Sequence, residues 1–466
     1  LIVIGLIISI EGFAREHEGD KSANSGANKD LAASCAPSQA IGELALNNVR
    51  FIIETGGNMW EDRAQGFPHY IVPKGTEENP GQNSVLFAGS LWMGGFDPAN
   101  NLKLAAVRFR QVGNDFWPGP LANDGTASTS AEVCSDFDTF WRTTKQEVQL
   151  HALWWTRIND GDPGNDNDPP FENGYSIPQS ILDWPGNGNI ALHQDAVLGP
   201  FFDQNGDGLY EPEQGDYPWY DLTGALDCRN QFREDPVPLF GDENLFWIFN
   251  DNGNIHSETQ GEPIGMQIRA QAFEFSTQDE INSMTFYNYV LTNQGSLTLT
   301  QTYFGQWVDC DVGFSGDDFV GCDVQRGLGF GYNGDPFDES SDSGPGYGAN
   351  PPAIGVDFFE GPFQDADQLD NPLTLVFQDA IDSAGIPYGG IGIGYGDGVV
   401  DNERFGMRAF LYHNNNSGPD ATQDPEIDVH YYNFLRGRWK DNSFMVYGGT
   451  GYDPNNQATA QRSFYM

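Results

Sequence analysis

Positive charge is what this sequence has least of. Lys and Arg number 22 against 67 Asp and Glu, which leaves a formal net charge of −45 and a pI near 4.1. A nucleic-acid backbone needs a basic face and an anionic membrane surface attracts one, so the composition argues against both partners. No apolar run is long enough to span a bilayer as a helix; residues 1–10 supply about half the length required. The five cysteines form no CxxC pair, which argues against a zinc ribbon. GxxxxGK[ST], HExxH and GxSxG are all absent, so a phosphate loop, a zincin helix and a nucleophile elbow have no basis here. Gly329-Phe-Gly331-Tyr-Asn-Gly334 fits GxGxxG by letter, but DPFDESSDSG follows where a helix would have to start.

Aromatics, by contrast, are plentiful. The 466 residues include 33 Phe, 18 Tyr and 11 Trp, which a disordered acidic chain would not carry. Gly (57) and Pro (28) are frequent enough to keep helices short. The expected fold is mainly β: an antiparallel β-sandwich with long acidic calcium-binding loops and one or two short helices. Residues 85–92 and 103–112 read as strands around the turn GGFDPANN, the second alternating Ala105, Val107 and Phe109 against Arg108 and Arg110. In residues 266–275 the apolar phase slips at Phe273, which predicts a bulge. Residues 284–292 and 299–308 read as a hairpin, and 409–412, 429–435 and 443–447 as further strands. Phe137, Trp141, Thr144, Val148, His151 and Trp155 fall at helical spacing and predict a helix over 136–155, with Ser130 and Ser135 as candidate caps. A helical turn is predicted at 178–184, opened by Pro178.

The apolar start LIVIGLIISI, followed by small Gly12 and Ala14, reads as the remnant of a secretory signal cleaved after Ala14; the competing reading is an N-terminal strand. Residues 15–45 read as a tether, 46–235 as a β-rich domain with one helix and a calcium loop, and 236–466 as a β-sandwich domain clipped at its end. The Pro-rich stretch 233–241 marks the boundary. An exported chain favours disulfides, and Cys310–Cys322 is the expected pair because its separation suits two strands joined by a loop.

Acidic loops carry the clearest chemistry. In DQNGDGLYEPEQGD, Asp203, Asn205 and Asp207 stand at loop positions 1, 3 and 5 and the Leu209 carbonyl at 7, the spacing that wraps hard oxygens around calcium. Position 12 is Gln214 rather than Glu, so Glu213 or Asp216 must close the shell. A second group comprises Asp309, Asp311, Asp317, Asp318 and Asp323, whose mutual repulsion calls for a cation. A third comprises Asp397, Asp401 and Glu403, and weaker groups lie at 165–168 and at Asp365, Asp367 and Asp370. His256, in NIHSE, stands out among the seven histidines and reads as structural. Trp60, Trp92, Trp117, Trp154, Trp155, Trp219 and Tyr220 offer either a sugar-stacking platform or a core.

Several segments together are distinctive: SVLFAGSLWMGGFD, GNDFWPGPL, FFDQNGDGLYEPEQGDYP, LFWIFNDNGNIHSE, INSMTFYNYVLTN, DDFVGCDVQRGLGFGYNGD and DGVVDNERFGM. Across residues 46–466 the chain resembles large secreted Bacteroidota proteins of the type IX secretion kind, which usually end in a type A sorting domain; no such domain is seen here. The resemblance implies export to the cell surface or medium. No catalytic constellation emerges, so the expected function is a calcium-stabilised extracellular structural or adhesion protein. It would have surface proteins, glycans or further copies of itself as partners. The alternative is a carbohydrate-binding or polysaccharide-degrading protein.

Overall fold

Runs rich in Val, Ile, Phe, Tyr and Trp, bracketed by Gly, Asn and Pro, become strands in the computed structural model. It describes residues 34–108, 113–226, 231–233, 235–323, 326–340, 344–374, 392–415 and 418–459, and the backbone of 2–10. The labelled strands are β1 (Ile2–Ile10), β2 (Ile41–Leu44), β3 (Arg50–Glu54), β4 (Tyr70–Ile71), β5 (Ala88–Phe96), β6 (Leu102–Ala105), β7 (Trp117–Pro118), β8 (Trp141–Thr144), β9 (Glu243–Asn250), β10 (Met266–Glu274), β11 (Thr285–Asn293), β12 (Thr300–Asp309), β13 (Asp318–Asp323), β14 (Leu328–Asn333) and β15 (Ala353–Glu360). Four helices are described: α1 (Ala131–Asp136), α2 (Lys145–Asn159), α3 (Gln179–Leu182) and α4 (Asp428–Leu435).

The main sheet has the order β8-β9-β10-β11-β1-β15-β14-β13, with β7 also pairing to β9. Facing it are β2-β3-β4 and β12-β5-β6, stitched together by Met59, which bridges Ile53 and Gly89. Between the layers lies the largest core, with Phe51, Trp60 and Tyr70 on one side and Trp247, Phe249, Tyr287 and Tyr289 on the other, all fully buried. Polar ring atoms are satisfied there: Trp60 Nε1 donates to Tyr287 Oη at 2.8 Å, and Tyr70 Oη lies 2.9 Å from Thr285 Oγ1. The fold is mainly β and antiparallel, as the sequence predicts. The core is continuous across residue 236, since β8 pairs with β9 and β5 with β12.

Two smaller cores cover the outer faces. α4 brings Tyr431, Tyr432 and Phe434 against Trp92 and Trp307 of the second layer. On the main sheet, Val148 of α2, Ile181 of α3, Tyr210 and Tyr217 pack on Phe246 and Ile248. Trp247 and Phe249 face the opposite way, so β9 is buried on both faces.

Several local expectations change. The predicted helix 136–155 is two helices separated by β8; α2 starts at Lys145, where Thr144 and Glu147 form a capping box. β10 keeps an unbroken register with both neighbours, so no bulge exists. Its phase slips because nearly every residue is buried, which removes the need for alternation. β11 and β12 do not pair; β12 crosses to β5 in the other layer. Residues 429–435 are helical, not extended, and 409–412 and 443–447 form no regular strand. Part of the strand expected over 103–112 lies outside the described residues; β6 ends at Ala105.

The expected Cys310–Cys322 disulfide is not formed. Cys35 and Cys134 are bonded instead, while Cys310 and Cys322 are free. The expectation assumed that their strands neighbour one another, but β13 pairs with β14, not with β12. Cys228 lies outside the described residues.

Candidate metal centre

The first acidic loop is held at its base by a two-residue ladder, Phe201 opposite Pro218 and Phe202 opposite Tyr217. The Phe202 and Tyr217 rings stack at 4.8 Å. Within the loop, Asp203 accepts from Gly206 N through Oδ1 (2.6 Å) and from Gly208 N through Oδ2 (2.7 Å). Asp207 Oδ1 accepts from Leu209 N (2.9 Å), and its Oδ2 accepts from Asn205 Nδ2 (3.0 Å). Gly206 and Gly208 take φ of +76° and +80°, a region closed to most side chains. Asp216, fully buried, closes the loop by accepting from Gln204 N (2.9 Å) and Glu211 N (2.7 Å). Gln214 is turned inward as well, accepting from Asn205 Nδ2 and donating to Glu211.

A second loop repeats this turn from discontinuous pieces. Asp370 Oδ1 and Oδ2 accept from Gly396 N and Gly398 N, each at 2.9 Å. Asp397 Oδ1 accepts from Val399 N (2.8 Å) and its Oδ2 from Asn402 Nδ2 (3.0 Å). Gly396 and Gly398 take φ of +68° and +91°. The correspondence runs bond for bond: Gly206-Asp-Gly-Leu209 matches Gly396-Asp-Gly-Val399. The Asp that stands three residues earlier in the first loop is replaced in the second by Asp370, 26 residues upstream of Gly396. Asp401 adds a carboxylate that accepts from Asp367 N (2.7 Å) and Gln368 N (2.9 Å), and buried Glu403 accepts from Asn371 N. Two groups that are separate in sequence, 367–370 and 397–403, are therefore tied together by backbone-to-carboxylate bonds; Asp365 stays out, fully exposed beside Arg233.

The third group is brought together only in part. Asp318 Oδ2 accepts from Val312 N (2.7 Å), and its other oxygen, like Asp317 Oδ1, is buried without a hydrogen-bond partner. Burial first, then the nearby charges of Asp311, Asp317 and Asp338, push the Asp318 carboxyl up to about 7. Asp338, which no local pattern singles out, is buried here and accepts from Phe314 N at 2.9 Å. Asp309 ends β12 just before this cluster. Asp323 does not belong: it sits at the far end of β13, paired with Arg326.

Every donor in the first two loops is a hard oxygen, as calcium requires, and the same carboxylates that bind backbone N–H groups are thereby aimed inward. Charge is unbalanced inside them. The Glu211 carboxyl is raised by desolvation and then by Asp207; that of Asp216 is raised by burial, and that of Glu403 by burial against the pull of Asn371 N–H. Asp203 is held low by the Gly208 N–H. Among the described residues, no group of three or more His, Cys, Asp or Glu side chains is placed to hold a metal ion. A cavity of about 540 Å³ lies behind the first loop, with Asp203, Phe202, Trp219 and Arg269 in its wall.

Other residues singled out by sequence turn out structural. His256 is buried with Nδ1 2.8 Å from Leu104 O and Nε2 2.5 Å from Asp251 O. Trp60, Trp92, Trp117 and Tyr220 are buried in cores, whereas Trp154, Trp155 and Trp219 are half-buried. Comparison with known proteins returned no matching family model, no matching curated protein and no matching solved structure.

Proposed function

We propose that this chain is an exported, calcium-stabilised structural or adhesion module of the cell surface, of the kind its resemblance to secreted Bacteroidota proteins implies. The observation that carries the proposal is the repeated turn. Two loops with different chain connectivity arrive at the same arrangement of Asp, Gly, Asp, Gly and a following backbone N–H, a convergence that solvation of acidic residues does not require. The buried Cys35–Cys134 disulfide supports an oxidising compartment. On this reading its partners are surface proteins, glycans or further copies of itself.

Calcium would be held by Asp203, Asn205, Asp207, the Leu209 carbonyl and Asp216 in the first loop, and by Asp370, Asp397, Asp401 and Glu403 in the second. The Asp311, Asp317, Asp318 and Asp338 cluster is a third candidate. An ion bound only by the folded state stabilises it by about 2.7 kcal/mol at a hundredfold excess over Kd. The test is thermal unfolding in calcium and in excess chelator, with metal content measured on the dialysed protein. A calcium-dependent rise in Tm with two or more ions per chain is expected. An unchanged Tm with no bound metal would overturn the reading.

A further inference from the structure

The main sheet alternates in direction on both sides of β1. β9, β10 and β11 are successively antiparallel, and so are β15, β14 and β13. β1 breaks the pattern by running parallel to both β11 and β15. Those two strands therefore point the same way across a gap one strand wide. A strand running opposite to them would make the alternation unbroken across the sheet, and antiparallel pairing is the more stable kind. Without an occupant the gap cannot close by simple hydrogen bonding, because the facing edges stand two strand spacings apart, about 10 Å. The β11 edge is also not dressed for solvent: TFYNYVLTN contains no charge and no Pro, the usual guards of a free edge. Thr285, Tyr287, Tyr289 and Leu291 are fully buried, and Asn288 is buried with its Oδ1 unsatisfied.

We infer that the space between β11 and β15 is a strand-acceptor slot. Its occupant in the assembled protein is an extended, uncharged segment rich in β-branched residues, supplied by another polypeptide and antiparallel to both walls. The chemistry is read from the segment that fills the slot in this chain, IVIGLIISI, whose backbone pairs with Thr285–Leu291 on one side and Ile354–Glu360 on the other. What vacates the slot is cleavage on export, and on that point the inference rests on the reading above. Strand addition of this kind draws affinity from main-chain hydrogen bonds and specificity from alternate side chains.

The experiment uses the full chain with a protease site placed between Ser22 and Asn28, nicked after folding. It is incubated with a labelled peptide of residues 2–10 flanked by lysines. Expected are saturable 1:1 binding with release of the N-terminal fragment, and at least tenfold weaker binding of the same peptide with Gly5→Pro and Ile7→Pro, which removes two backbone donors. Disulfide capture of a cysteine-bearing peptide by Asn288→Cys places it in the slot, and Asn293→Cys at the end of β11 reads its direction: capture of a peptide with its cysteine at the N-terminus is expected, whereas preference for a C-terminal cysteine, the parallel arrangement that residues 2–10 take in the chain, overturns the inference. Absence of binding, or equal binding of the proline peptide, overturns the inference. N-terminal sequencing of the exported protein reads the other premise separately: a start at Arg15 supports cleavage, whereas retention of residues 1–14 defeats the export step and leaves the peptide result to decide the slot.

Discussion

Asp203 and Asp370 do the same job from different places in the chain, and their substitution separates calcium binding from turn support. Asp203→Ala and Asp370→Ala should each lower Tm by several degrees in calcium and by much less in chelator, while exposed Asp365→Ala changes neither. Equal losses in both media would mean that these carboxylates serve only as acceptors for glycine N–H groups. Glu274 provides a residue-scale prediction independent of metal. It is fully buried, accepts from Leu46 N at 2.6 Å, and has its carboxyl pushed up to about 7, by burial above all. A carboxyl raised in the folded state binds protons more tightly there than in the unfolded chain. Its contribution is therefore complete below the unfolded value near 4.5 and is lost as pH rises toward 7. Glu274→Gln should flatten that part of the stability profile in chelator, measured by denaturant titration between pH 4.5 and 8. An unaltered slope would contradict the burial argument.

At the scale of elements, local signals lose their bounds where a segment is buried on both faces, as β5 and β10 are. The strand predicted over 85–92 runs instead from Ala88 to Phe96, so Gly94, Gly95 and Phe96 of the predicted turn GGFDPANN are strand and the chain turns only at DPANN. The helix at 136–155 was misplaced because aromatic spacing continues through β8, and only the capping box at Thr144 marks where α2 begins. Thr144 Oγ1 accepts from Glu147 N at 3.2 Å, and Glu147 Oε2 accepts from Thr144 N at 3.2 Å. Thr144→Ala should destabilise by about 1 kcal/mol, with Thr144→Ser close to wild type, as read by chemical denaturation. Val429, Tyr431 and Phe434 are β-formers and predict a strand where α4 stands. Its helicity comes from tertiary packing on Trp92 and Trp307, which overrides propensity.

For the molecule as a whole, the one disulfide among the described residues is a long covalent tie. It links Cys35, just before β2, to Cys134 in α1, 99 residues apart. Closing a loop of that size restricts the unfolded chain strongly, so Cys134→Ser should cost about 2–5 kcal/mol, and reductant should lower the wild-type Tm but leave the variant unchanged. An identical response of both proteins to reductant would mean that the bond adds nothing to folding. If the proposals above hold, one picture joins them at this scale: cations would order the loops of a highly acidic chain, and a strand from outside would complete the main sheet.

Composition alone determined that this is a β-rich, aromatic-cored, acidic protein, because turn frequency, ring content and net charge are sums over residues and need no partners. The turn of the first acidic loop was legible for a related reason: its carboxylates and glycines all lie within fourteen residues, so spacing is geometry. The second was legible only as fragments, since Asp370 reaches Gly396 through the fold and no local pattern announces it. The same holds for Asp338, for the Cys35–Cys134 pair and for the direction of β1. Which strands neighbour one another is decided by how two sheets bury a shared core, and that choice is made between residues hundreds of positions apart.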